Sequence, residues 1–221
     1  MNDKSTKQRV LVVYAVAFYV IWILWEFWAK PFVNSAVQNE YLSQLVKSGV
    51  IKNLVWTVPA ILLIRRFSSD IYVGLQDMFK INTRLLRYFP VLLLFTVYLL
   101  IGAVLQKGRL VLSEAFGLSD LIIVLFVGIT EETVFRGWLL NSTVSEEKKW
   151  LSVIANSLIF LLIHLPGWIH DGVFVANFQN FGFLSPLLLG IIFSWTFIKS
   201  KSIWVPIILH MYWDMLVFLF Y

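Results

Sequence analysis

The chain has 221 residues, 59% of them hydrophobic and only 14% charged, with a mean hydropathy of +0.80 and a net charge of +5. So little polar surface cannot cover a water-soluble globule, and the long unbroken apolar runs exclude the alternating strands of a transmembrane β-barrel. The absence of cysteine excludes disulfides, thiolate metal sites and a cysteine nucleophile. In a membrane chain the positive charge is read through where Lys and Arg fall, and nucleic acid is not an expected partner.

Apolar runs near 10–28, 49–64, 88–106, 118–140, 150–169, 183–198 and 203–221 predict an all-α polytopic transmembrane bundle of about seven spans, six to eight at the limits. The first run is too long and too aromatic for a signal-peptide core and is expected to stay as an anchor. The 49–64 run is the weakest: it is short, contains Pro59 and lengthens only by admitting Lys52 and Asn53. Residues 66–87 read as a basic amphipathic segment on the cytoplasmic surface. A helix dipping into the membrane within 29–48 or 66–87 would add an eighth span. Trp25, Trp28, Trp138, Trp150, Trp168 and Trp204 fall near span ends, where interfacial anchoring rings are expected.

Orientation follows from the cations. With a cytoplasmic N-terminus, the inside segments collect Lys4, Lys7, Arg9, Arg65, Arg66, Lys80, Arg84, Arg87, Lys148, Lys149, Lys199 and Lys201. The outside holds Lys30, Lys47, Lys52, Lys107 and Arg109, so the bias favours the N-terminus inside.

A charge at mid-bilayer costs about 2.5–3.5 kcal/mol even on the mildest scale, so each one inside a span needs a partner or a purpose. Within the spans lie Glu131, Glu132, Arg136, His164, His210 and Asp214, with Glu26 near the outer end of the first; His170 sits in an outside loop. Glu132 and Arg136, four apart, share a helix face and can brace each other. Glu131 is turned about 100° from Glu132 and is left without a local cation. His210 and Asp214 are again four apart, and Asn156, Phe160 and His164 line one face before Pro166. Counted at about 1.5 Å per residue from the cytoplasmic ends, Glu131 lies about 13 Å deep, His164 about 20 Å and His210 about 10 Å. Helix tilt and side-chain reach can close that spread. A carboxylate beside an imidazole can activate water, and a second imidazole can stabilise an oxyanion, which suits amide hydrolysis.

The segments EETVFR (131–136), FLLIH (160–164) and HMYWD (210–214) match, in order and spacing, the EExxxR, FxxxH and Hxxx-Asn-type motifs, so the chain resembles the CPBP family, also called Abi, of CAAX-prenyl endopeptidases and bacteriocin-processing or immunity membrane proteins. The resemblance covers 118–221, the expected catalytic core; residues 1–117 match only as anchoring spans and the amphipathic segment. It implies an intramembrane endopeptidase of the bacterial cell membrane with a cavity open to the cytosol. Its substrate would be a membrane-associated peptide or protein: lipidated, pheromone or bacteriocin-related. By resemblance, Glu131 and His164 would activate water, His210 and Asp214 would form the oxyanion hole, and Glu132 and Arg136 would shape the site. Asp214 stands where the CAAX-type enzymes generally have asparagine; it must either be protonated or act by orienting or charging His210.

No cofactor is expected. Because the family has often been called metalloproteases, zinc on Glu131, His164 and His210 is the alternative, although no HExxH pair is present. A non-catalytic immunity or scaffold protein of the same fold is the alternative function. A small proton relay or transporter is disfavoured by the absence of internal repeats.

Overall fold

The computed structural model describes residues 3–81 and 85–221, so the predicted cytoplasmic cation Arg84 lies outside the described residues. Every regular element among them is a helix. In chain order, α1 is Ser5–Ala36, α2 Glu40–Arg66, α3 the short Leu75–Met78 and α4 Leu85–Lys107. Next, α5 begins as Leu118–Glu132 and continues as a wider, π-helical Thr133–Leu140. After it come α6 (Lys149–His170), α7 (Phe174–Gln179), α8 (Leu184–Ser200) and α9 (Trp204–Phe220). Four of these, α1, α2, α4 and α6, are long and apolar enough to cross a membrane, and α8 and α9 are shorter apolar helices. The chain is an integral membrane protein.

Local chemistry sets the helix ends. The Asn39 side chain accepts a hydrogen bond from the Leu42 N–H at 2.9 Å and so caps α2 ten residues before the apolar run at 49–64 begins. This cap turns the weakest predicted span into a 27-residue helix and absorbs the 29–48 region into the ends of α1 and α2. Pro90 sits in the first turn of the regular part of α4, where its missing N–H costs nothing, and Gly108 ends that helix at φ 72°, a left-handed conformation open to glycine.

Three helices widen into π-helical turns: α1 at Trp25–Ala29, α2 at Leu45–Ile51 and Asn53–Thr57, and α5 at Thr133–Leu140. Each wide stretch holds or adjoins a charged residue turned into the bundle: Glu26, then Lys47 and Lys52, then Arg136. Such turns shift the angular register of the side chains that follow, and they concentrate at functional sites.

The core is aromatic. Trp22 and Trp56 pack with ring centroids 5.0 Å apart, Trp25 meets Trp56 edge-on at 5.7 Å, and Phe18 meets Phe135 edge-on at 5.6 Å. Trp25 and Trp138, expected as interfacial anchors, are instead 4% and 0% exposed. The reason is that α1 runs on to Ala36, which leaves Trp25 inside the helix, and Phe67 covers Trp138 with ring centroids 5.8 Å apart. Trp28 and Trp150 are exposed, as anchors require.

Between α2 and α4 the expected amphipathic segment is, over its described part, a loop with one short helix. Asn141, at the end of α5, draws it in: its side chain accepts from the Val73 N–H at 2.7 Å and donates to the Val73 carbonyl at 2.8 Å. Ile203 N donates to the Met78 carbonyl and Trp204 Nε1 to the Phe79 carbonyl, each at 2.9 Å. Val73 and Met78 are therefore buried against protein, and not laid on lipid. In the same loop Asp77 accepts a 2.6 Å hydrogen bond from Lys80, which holds its carboxyl below the ordinary value.

This loop lies at the end of the bundle that carries the start of α1, where Lys7 Nζ donates to the Asp70 carbonyl. At the opposite end, Ser113 N donates to the Leu219 carbonyl and Lys107 Nζ to the Phe220 carbonyl, each at 2.8 Å, and Phe27 of α1 meets His170 of α6.

Candidate active site

The wide turn of α5 begins directly after Glu131 and Glu132, and close helix packing carries these two residues to the centre. A Cβ on Gly128 would lie 2.8 Å from Met211 Cγ, so α5 and α9 approach each other where a side chain would hold them apart. A Cβ on Gly190 would lie 2.9 Å from Ser157 Cα, so α8 and α6 do the same.

Glu132 and Arg136 are both 0% exposed and pair through Nη1 and Oε1 at 3.0 Å, as expected for a brace. The guanidinium also donates from Nη2 to the Gly190 carbonyl at 3.1 Å and lies 4.4 Å from the Phe160 ring centroid. What helix periodicity did not reveal is a second role for Glu132. The same Oε1 accepts a 2.7 Å hydrogen bond from His210 Nδ1, across from α9. Glu132 thereby links the brace to an imidazole and fixes where the other ring nitrogen stands. His210 is further held by Phe193, stacked at 4.9 Å.

His210 Nε2 stands 3.6 Å from Asp214 Oδ2 and 3.9 Å from Glu131 Oε2. Both separations exceed hydrogen-bonding length, so this nitrogen sits uncommitted between two carboxylates. Glu131, expected to lack a local cation, has no Lys or Arg within ion-pairing distance among the described residues. Lys52, assigned by sequence to an outside stretch, instead lines a narrow crevice with Glu131, and its ammonium lies 4.8 Å from the Trp22 ring centroid. No signal in the sequence gives this placement, which follows from the wide turns flanking Lys52.

His164, expected beside Glu131 and His210, does not touch either one's polar atoms. Its Nδ1 is 3.2 Å from the Phe160 carbonyl, which can only accept, so Nδ1 carries the hydrogen and Nε2 the lone pair. His164 joins the other residues through open space. One cavity of about 400 Å³ is lined by His164, His210 and Asp214 with apolar Leu99, Leu189, Trp213 and others. A second, of about 200 Å³, is lined by His164 and Glu131 together with Glu26, Lys30, Trp168 and Asp171. His170 pairs with Asp171 at 2.9 Å on the exposed rim.

These positions do not fit the alternative zinc set. Among the described residues no three His, Asp or Glu side chains form a group that could hold a metal, and His164 makes no polar contact with Glu131 or His210. The chemistry available is that of a carboxylate and an acceptor nitrogen sharing one cavity, with His164 reaching a second cavity on which the free Nε2 of His210 stands.

The profile of the family described as type II CAAX prenyl endopeptidase Rce1-like matches residues 7–216. No curated protein and no solved structure matches the chain.

Proposed function

The chain belongs to this Rce1-like type II CAAX prenyl endopeptidase family of membrane proteases, and we propose that it hydrolyses a peptide bond of a membrane-associated, lipidated or amphipathic peptide with a water activated by Glu131 and His164. The observation that carries this reading is His210 Nε2, uncommitted at 3.9 Å from Glu131 and next to a cavity that also reaches His164.

The Glu131 carboxylate takes a proton from water as the oxygen adds to the carbonyl carbon, and the acceptor Nε2 of His164 holds that water. Charge then develops on the carbonyl oxygen. His210, whose Nδ1–H is spent on Glu132, offers Nε2–H to it as an oxyanion-hole donor. Collapse breaks the C–N bond, and the proton held by Glu131 passes to the leaving amine. Asp214 faces the same Nε2 and not Nδ1, so its role is to favour the charged imidazolium; the task of orienting the ring belongs to Glu132.

In this reading α5, α8 and α9 also cross the bilayer, which makes seven spans with the N-terminus in the cytoplasm of a bacterial cell. The cations at Lys7, Arg9, Arg65, Arg66, Lys148 and Lys149 support that orientation. The test is purified protein in detergent with a quenched farnesylated CAAX peptide. Cleavage that survives a zinc chelator and vanishes in Glu131→Gln supports the proposal. Binding of the peptide without cleavage would favour the non-catalytic scaffold.

A further inference from the structure

Arg136, Glu132, His210, Asp214 and Glu131 form one run of charged contacts whose charges do not cancel. Arg136 pairs with Glu132 at 3.0 Å, and His210 faces Glu132, Asp214 and Glu131 at 2.7, 3.6 and 3.9 Å. Three carboxylates thus share one guanidinium and one imidazole. An uncompensated negative charge is costly in an apolar bundle, and it falls on Glu131, whose closest cationic atom is the most distant of the three.

The cations around Glu131 are otherwise engaged. Lys30 of α1 pairs with Glu26 at 2.7 Å, Lys47 of α2 donates to Asn34 Oδ1 at 2.6 Å, and the second amine of Arg136 donates to the Gly190 carbonyl. Asp171 pairs with His170, and His164 of α6 shares the 200 Å³ cavity with Glu131 through an acceptor nitrogen. Lys52 is different. Among the described residues its ammonium forms no hydrogen bond and no ion pair, and the Trp22 ring, 4.8 Å away, is what it rests on. Trp22 is itself fixed, because its indole Nε1 donates to the Ile163 carbonyl at 2.7 Å.

The local structure of α2 turns this lysine inward. A Cβ on Gly49 would lie 3.1 Å from Phe126 of α5, so the two helices come close about one turn before Lys52. Wide turns stand on either side of Lys52, and the Asn53 side chain donates to the Ser48 and Gly49 carbonyls at 3.0 Å each, which holds the widened backbone. The crevice that Lys52 reaches is walled by Phe18, Trp56 and Phe135, all at most 5% exposed, and Lys52 and Glu131 are the charged residues lining it. Trp22, Glu131 and Ile163 line both this crevice and the 200 Å³ cavity, so Lys52 stands behind Glu131 as seen from the cavity.

We propose that Lys52 is a positioning residue for the hydrolysis, the countercharge that keeps Glu131 a carboxylate ready to accept a proton. It rests on the general-base role given to Glu131 above. Because the ammonium stands beyond ion-pairing distance, it compensates the charge and leaves both carboxylate oxygens to the water. With Lys52 counted, three carboxylates face three cations.

The test is the pH profile of kcat/KM for the farnesylated CAAX peptide, with purified wild-type, Lys52→Met and Lys52→Arg proteins in detergent. A carboxylate deprived of its countercharge holds its proton more tightly, so in Lys52→Met the acidic limb should move to higher pH by about 1–3 units, with the rate recovering above it. Lys52→Arg keeps the charge and should keep the limb where the wild type has it. A limb unmoved in Lys52→Met, a limb moved as far in Lys52→Arg, or a loss of rate equal at every pH would mark the lysine as merely structural and overturn the proposal. Should Lys52→Met fail to accumulate, Lys52→Gln replaces it. The infrared carbonyl stretch of the protonated Glu131 carboxyl, identified by its loss in Glu131→Gln, should follow the same shift, and a band that titrates identically in wild type and Lys52→Met also overturns the proposal. That readout needs no cleavage, so a missing peptidase activity would show separately, in the peptide assay.

Discussion

Glu131 and Glu132 are adjacent in sequence, yet the bundle gives them opposite duties. Glu132 is fully enclosed and divides one oxygen between Arg136 and His210, whereas Glu131 lines the 200 Å³ cavity. Replacing Glu131 by Gln keeps its shape and removes its basicity. Cleavage should fall by about 10²–10⁴, the usual worth of a general base, with the melting temperature unchanged. Replacing Glu132 by Ala strands a buried guanidinium and frees His210, and should cost about 3–5 kcal/mol in reversible unfolding in detergent. At the oxyanion side, His210→Ala should lower kcat by about 10²–10³. Asp214→Asn keeps a side chain of the same size beside Nε2 but removes the charge that favours the imidazolium, so turnover should fall, though by less than in His210→Ala because Glu132 still faces the ring. Unchanged turnover in Asp214→Asn would refute the role given to Asp214.

At the scale of elements, the site depends on helices brought close by glycine. Gly190 meets Ser157 backbone and also gives its carbonyl to Arg136, so Gly190→Val must part α8 from α6 and break that hydrogen bond. We expect lower thermal stability together with lost cleavage, whereas Gly108→Ala, remote from the site at the end of α4, should leave cleavage intact. Much of this level was legible in the sequence. The apolar runs mark where helices lie, and spacings of four identify the Glu132–Arg136 and His210–Asp214 pairs. Helix periodicity speaks only of neighbours on one helix, however, and the contact between Glu132 and His210 joins two. Widened turns were equally hidden, since they add a residue per turn without a composition of their own; they rotate Lys52 toward Glu131. The Trp25 and Trp138 rings were misassigned because span ends read from hydropathy stop short of the true helix ends, which a side-chain cap such as Asn39 or a covering loop decides.

For the whole molecule, two cavities meet at His164, one charged and one mostly apolar. Asn141 closes the far end by holding the 67–81 loop, so Asn141→Ala should loosen that loop. Faster amide hydrogen exchange at Tyr72 and Val73, with the rest of the bundle unchanged, would register it. Function was legible at this scale through three motifs alone, because the residues they contain are those whose burial in a membrane demands a reason. The layout of the cavities was not, since it depends on how α1, α4 and α8 stand around the motif-bearing helices.

The most direct test of the central claim is cleavage of a farnesylated CAAX peptide in ¹⁸O-labelled water, followed by mass spectrometry of the new carboxyl terminus. The account predicts one labelled oxygen per cleaved chain with the wild-type protein, unaffected by chelator, and no product with Glu131→Gln. Product formed equally by the Glu131→Gln variant, or an intact peptide after prolonged incubation with folded wild-type protein, would contradict it.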